Sequence, residues 1–167
     1  MRIRALAFRK VVALMGFACL LVCLCAATSA FAAPAISPSL FTVSSTSTRA
    51  VALETVSMTT EPFSLNSETN FNPSDSRTRI TLFCMNLDFL AGEPSSALTV
   101  DAQDAAGIIY PLKVEYVGTV PNFPGIYMIV VRLNDLMPAT LGDVLVRLNL
   151  HGMGRGYCET IFSDKKR

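Results

Sequence analysis

The sequence predicts an all-β protein that folds as an antiparallel β-sandwich of about seven short strands. From residue 49 onward, apolar residues occur in short runs separated by Gly, Pro, Asn and Asp, a pattern typical of strands joined by turns. Beyond residue 32, no stretch of the sequence keeps a helical period. Residues 144–151 alternate, with Val144, Val146, Leu148 and Leu150 on one face, which predicts a strand with one buried side.

The predicted strands follow one another at the spacing of a sandwich. In chain order they cover residues 51–58, 79–87, 98–101, 108–117, 126–133, 144–151 and 159–163. The second is apolar on both alternating faces, which predicts burial on both sides, and the fifth has the β-branched composition of a central strand. Pro111 has no N–H to donate, so it places the fourth strand at an edge or breaks it. The run Gly152–Gly156 is predicted as a turn before the last strand, since it lacks the Lys-Ser/Thr of a phosphate-binding loop.

Residues 1–32 have the composition of a cleaved signal peptide. Four basic residues open the segment, an uncharged apolar run covers residues 11–27, and Ala30-Phe31-Ala32 fits the small-x-small cleavage pattern. We therefore predict cleavage after Ala32 and a protein that is secreted, periplasmic or at the cell surface. The mature form is then expected not to span the membrane.

Two alternatives to cleavage after Ala32 stay open. A retained signal anchor is one, because the apolar run is only slightly shorter than the ~20 residues of a membrane-spanning helix. A lipoprotein signal is the other, although Cys19, Cys23 and Cys25 each lack part of the required motif, a small residue before the Cys and a Leu three before it.

Removal of the leader changes the charge of the chain. Four of the 14 basic residues lie in it, so the mature chain has 10 against 13 acidic residues, or 10 − 13 = −3. Residues 33–48, rich in Ser, Thr, Pro and Ala, are predicted to form a flexible linker before a domain at 49–163 and a basic tail at 164–167. A mildly acidic chain with this tail as its only basic cluster predicts no nucleic-acid partner.

Cysteine usage follows the same division. Only Cys84 and Cys158 remain after cleavage, and an oxidising compartment makes a disulfide between them a candidate, one that would stabilise the protein by roughly 4 kcal/mol if unstrained. The alternative is two small buried thiols.

The second half of the domain carries a resemblance to a known family. Pro124-Gly125-Ile126-Tyr127, an alternating strand, Leu141-Gly142-Asp143-Val144 and a Gly-rich turn before a last strand resemble the C-terminal half of bacterial immunoglobulin-like modules of the IPT/TIG type. Residues 77–83 with Asn86-Leu87 are similar to their early buried strand. The resemblance covers about residues 49–163. It implies an immunoglobulin-like sandwich and a role as a spacer, stalk, adhesion or carbohydrate-associated module.

Candidate catalytic and metal-binding residues are few. His151 is the single histidine and is predicted to be a surface turn residue rather than a general base, so we predict no catalytic residues and no cofactor. Asp101 and Asp104 are weak calcium candidates, with a turn-forming role as the favoured alternative. Four tyrosines and Phe123 are either a stacking surface for sugars or, as we favour for most of them, part of the core.

The sequence thus favours an exported, non-catalytic immunoglobulin-like module with a structural, spacer or interaction role at the cell envelope or outside it. Its partner would be another envelope or extracellular protein, or a glycan. The alternatives are a carbohydrate- or protein-binding adhesin module and, less favoured, a small exported hydrolase.

Overall fold

A computed structural model describes residues 37–67 and 74–162, and gives the backbone alone for 153–159, 161 and 162. The predicted leader, the first residues of the linker and the basic tail lie outside the described residues. The described chain forms eight strands and, at Ser95–Ala97, one turn of 3-10 helix. The strands are β1 (Ser39–Leu40), β2 (Ala52–Glu54), β3 (Arg79–Met85), β4 (Leu98–Gln103), β5 (Ile109–Thr119), β6 (Ile126–Arg132), β7 (Gly142–Leu150) and β8 (Met153–Phe162).

The strands form an all-β antiparallel sandwich, as the sequence predicts. Their order is β1-β3-β6-β5-β4-β7-β8, and β2 follows β1 along the same edge of β3. If β1 and β2 together are lettered A and the later strands B to G, the sheets are ABED and CFG, which is the immunoglobulin arrangement. We call them the first and the second sheet. β5 joins the two sheets, and β1 lies beside β8, so the sandwich is nearly a closed barrel.

The passage of β5 from one sheet to the other explains how it accommodates a proline. Ile109–Leu112 pairs with β4, and residues 113–119 pair with β6 after an irregularity between Val114 and Tyr116. Pro111 therefore lies where β5 has a strand on one side only, and its carbonyl accepts a hydrogen bond from Nδ2 of Asn134 at 2.8 Å. The edge position that the missing N–H predicts is the one observed.

The core lies between the two sheets. Val144, Val146, Leu148 and Leu150 of β7 are all buried, as their alternation predicts. Facing them from the first sheet are the alternate residues of β3 and β6, of which Ile129 is fully buried. The strict period of two assigns these residues to the core, because a strand in a sandwich points every second side chain inward.

The sandwich begins before residue 49, the boundary that composition predicts. Ser39 and Leu40 pair with Met85 and Cys84, and Leu40 is buried in the core. Residues 41–51 then form a small excursion, closed by a bridge between Thr42 and Ala50, before β2 continues along β3. Residues 39 and 40 form a strand because β3 supplies hydrogen bonds that local sequence cannot reveal.

The last connection is also shorter than predicted. β8 begins at Met153, so the turn consists of His151 and Gly152 alone, with φ of 56° and 73°. Positive φ at both central residues is the geometry of the tightest hairpins. The remaining glycines lie within β8, next to the register shift opposite Arg147 and Asn149, where they accommodate a bulge.

Candidate functional site

His151, the residue on which acid–base chemistry would depend, lies at the end of the sandwich where the β3–β4 and β7–β8 loops meet. Its Nε2 is hydrogen-bonded to Oε1 of Glu93, and Oε2 of Glu93 accepts the N–H of Leu90 at 2.8 Å. The Leu90 N–H, and after it His151, lower the pKa of Glu93 below its ordinary value. The pair ties two loops together, in keeping with the turn position that the sequence predicts for His151.

A cavity of about 300 Å³ opens beside Glu93, between its loop and the unpaired side of β5. Ser95 and Thr119 contribute hydroxyl groups to it, and Phe89 and Tyr127 contribute rings. His151 is not among the residues that line this cavity. The hydroxyl groups of this cavity are therefore not accompanied there by the imidazole.

The two calcium candidates have protein partners. Oδ2 of Asp101 accepts from Nη2 of Arg147 at 2.9 Å, across neighbouring strands. Oδ1 of Asp104 accepts the N–H groups of Ala106 and Ile108, and its Oδ2 accepts the hydroxyl of Tyr110 at 3.1 Å. Asp104 thus holds the β4–β5 turn. Among the residues described, no three acidic, His or Cys side chains could together hold a metal ion, and calcium binding stays a prediction.

Cys84 faces the core from β3 and is fully buried. As a thiol its pKa is raised to about 12, because burial disfavours the thiolate. The side chain of Cys158 lies outside the described residues, so its pairing with Cys84 stays a prediction.

The predicted aromatic surface is divided by the fold. Tyr110 is buried and Tyr127 packs against the core, whereas Tyr116 and Phe123 are 51% and 58% exposed. The side chain of Tyr157 is among those not described. The two exposed rings belong to a larger apolar surface on the outside of the first sheet.

This surface, which we call the apolar outer face, is the feature that the sequence analysis missed. The outward positions of β3 and β6 pair as Phe83 with Met128 and Met85 with Ile126, and β5 sets Tyr116 opposite Val130. The side chain of Tyr116 lies over Gly118, where a Cβ would meet its hydroxyl oxygen at 2.1 Å. The face is thus mainly apolar over three successive rows of side chains; the exception is Thr81, the β3 residue opposite Val130, which is buried.

One end of the face deepens into a groove of about 330 Å³. Three phenylalanines from separate segments contribute to it. Its lining consists of Phe41, Val51, Phe83, Val120, Phe123 and Ile126. None of these six side chains has a polar group, so the groove selects an apolar occupant by desolvation alone.

The other end of the face is closed by a row of charges. Arg79 of β3 lies directly opposite Arg132 of β6, and Asp75 lies between them, accepting from Arg79 Nη2 at 2.7 Å and from Arg132 Nε at 2.8 Å. The hydrogen bonds from Arg132 and Arg79 hold the pKa of Asp75 well below its ordinary value. Glu115 also pairs with Arg79, at 2.9 Å. These ion pairs allow two like charges to sit side by side on the sheet.

On β4 and β7, where the side chains of the second sheet are described, the outer face is mostly polar, with Leu145 opposite Gln103 as an exception. Its outward residues on β4 and β7 pair as Thr99 with Asn149 and Asp101 with Arg147. The contrast shows that the apolar outer face is not a general property of this sandwich. Contiguous exposed apolar patches on one side of a protein mark interaction surfaces.

A sequence signal for this face did exist. Residues 79–87 and 126–133 are mostly apolar, which predicts burial on both sides for the first run and a central strand for the second. In the structure one side is buried and the other is only partly covered, because β3 and β6 have a sheet packed against one face alone. Continuous apolar runs do not distinguish a covered second face from an exposed one.

Comparisons with known proteins add no relative. No protein-family model, no curated protein and no solved structure matches the chain at a significant level. In residues 37–67 and 74–162, no helix is long and apolar enough to cross a membrane.

Proposed function

We propose that this chain is an exported, non-catalytic immunoglobulin-like module of the IPT/TIG type that acts by binding, through the apolar outer face, at the cell envelope or outside it. The face carries the proposal, because it is a contiguous, partly exposed apolar surface in which Met85, Tyr116 and Phe123 are the most exposed, and a partner that covers it removes apolar area from water. The leader-like residues 1–32 support export, and the strand order supports the immunoglobulin-like family.

The arrangement of the charged groups favours binding over catalysis. Four carboxylates accept hydrogen bonds from side chains or backbone N–H groups of the same fold. They are those of Asp75, Glu93, Asp101 and Asp104. Carboxylates used in this way stabilise the sandwich rather than transfer protons to a substrate. A small exported hydrolase would have to depend on His151; loss of a detected hydrolysis in His151→Ala would support that alternative.

A protein ligand fits the apolar outer face better than a glycan does. Sugar sites combine a stacking ring with hydrogen-bonding groups, and the groove around Phe83 offers no side-chain polar group. An adhesin that binds carbohydrate is the second candidate, and the exposed ring of Tyr116 is the observation that favours it.

The experiment has two parts and starts from the full chain expressed in a bacterial host. Mass spectrometry of the exported protein should find an N-terminus near Ala33; an intact Met1 in the membrane fraction would overturn cleavage.

A photo-crosslinking amino acid is then placed at Met128, in the middle of the apolar outer face, and at Thr99 on the opposite face as the control. We expect a protein adduct from position 128 only, and equal labelling from both positions would refute binding through this face.

A further inference from the structure

We infer that the apolar outer face packs against the same face of a second copy of this chain, forming a twofold dimer with the strands of the two copies antiparallel. This rests on the proposed function, since it names the partner of the same face. The inference depends on the shape of the surface, on its area and on the charges at its two ends.

The shape of the surface suits an identical partner. Around the central pair Phe83–Met128, the face consists of regular paired strands. Sheets pack face to face about 10 Å apart when the facing side chains interdigitate. A twofold axis through the middle of the face brings Met128 of one copy close to Met128 of the other, and each copy then covers the other's apolar rows.

The area agrees with a dimer core. Four strand positions about 4.8 Å apart and three rows of outward side chains about 6.7 Å apart give a face of about 19 by 20 Å, or roughly 380 Å². A standard interface buries about 800 Å² per partner, with an apolar centre and a polar rim. The face supplies the centre, and the charged row at one end with the loops at the other supplies the rim.

The charges select the antiparallel arrangement. One end of the face has four basic and three acidic side chains, a net charge of 4 − 3 = +1. They are Arg77, Arg79, Lys113 and Arg132 with Asp75, Glu115 and Asp135. At the other end, the described loops 86–97, 120–125 and 151–152 contain Asp88 and Glu93 and no Arg or Lys, giving −2. A parallel dimer would place two arginine rows together, whereas the antiparallel dimer places each row beside the partner's acidic loops.

The test measures the mass of the exported protein in solution by light scattering during size-exclusion chromatography, between about 1 and 200 μM, the range in which a moderate dimer associates. The variants are Met128→Glu, at the centre of the face, and Tyr116→Lys, at a half-exposed position of the same face. Thr99→Glu, on the polar outer face, is the matched control. Circular dichroism and a thermal melt confirm that each variant folds.

We expect twice the monomer mass for the wild type and for Thr99→Glu. Met128→Glu should weaken the dimer at least about 100-fold, because the symmetry buries two carboxylates in one apolar contact. A wild type that stays monomeric at the highest concentration, or folded Met128→Glu and Tyr116→Lys variants that remain dimeric, would overturn the inference. Crosslinking of position 128 to a different protein with a monomeric wild type would overturn the dimer and leave the proposed function standing.

Discussion

The register of β6 can be tested by two substitutions at neighbouring residues. Ile129 is fully buried between Leu82 and Val117, whereas Met128 points to the outside of the sheet. Ile129→Ala removes three carbon groups worth about 0.8 kcal/mol each, or about 2.4 kcal/mol, and the cavity left in the core adds roughly 1–2 kcal/mol. The expected loss is about 3.5–4.5 kcal/mol of the free energy of unfolding. Met128→Ala should cost less than about 1 kcal/mol, because it leaves no internal cavity.

Urea unfolding followed by far-UV circular dichroism measures both losses, since the chain has no tryptophan. The protein concentration is kept low, so that association does not contribute to the measured stability. Similar losses in the two variants, or a larger loss from Met128→Ala, would refute the assignment of the faces. A one-residue slip of β6 would produce that reversal, because it exchanges every inward side chain for an outward one.

Three further predictions concern the polar groups. Asp75→Ala should lower the melting temperature at pH 7, because it leaves Arg79 and Arg132 opposed. The folded pKa of Asp75 is depressed, so the stabilisation by its carboxylate is present above the unfolded pKa of about 3.9 and is lost as the pH falls below it. The melting temperature of the variant should therefore depend less on acid pH than that of the wild type. Asp104→Ala should lower the free energy of unfolding in urea by about 1–2 kcal/mol, because two backbone N–H groups lose their acceptor, and Asp104→Asn should keep part of that stability. No loss in Asp104→Ala would contradict the role of Asp104 in the turn. No change in the melting temperature of the wild type at millimolar calcium would remove the calcium hypothesis. Thiol titration of the denatured mature protein, from which the leader with Cys19, Cys23 and Cys25 has been removed, should find no free thiol without reductant if Cys84 and Cys158 pair, and two if they do not.

Local pattern was sufficient for most of the strands. The alternation in β7 identified its buried face without any knowledge of its neighbours, because a half-buried strand must place apolar residues at every second position. The turn residues around Gly125 and Asp104 marked the ends of strands, since positive φ and side-chain capping are local requirements. Pro111 predicted an open strand side for the same reason.

Pattern failed where a partner strand decides the conformation. Ser39 and Leu40 lie in a Ser/Thr-rich segment, and only the exposed edge of β3 makes them a strand. The start of β8 at Met153 depends on its register with Leu150, so its glycines suggested a longer turn than the structure contains. The Glu93–His151 pair joins residues 58 positions apart, and no spacing rule connects them.

The sequence by itself determined that this protein is all-β, where most of its strands lie, and which side of β7 is buried, because these follow from the period and composition of single segments. It also carries the leader-like residues on which predicted export rests. Only the tertiary structure decided that the apolar runs 79–87 and 126–133 have one covered and one open side. That depends on how many sheets pack on a strand, and a single strand's sequence records the apolar character of its faces but not what lies against them.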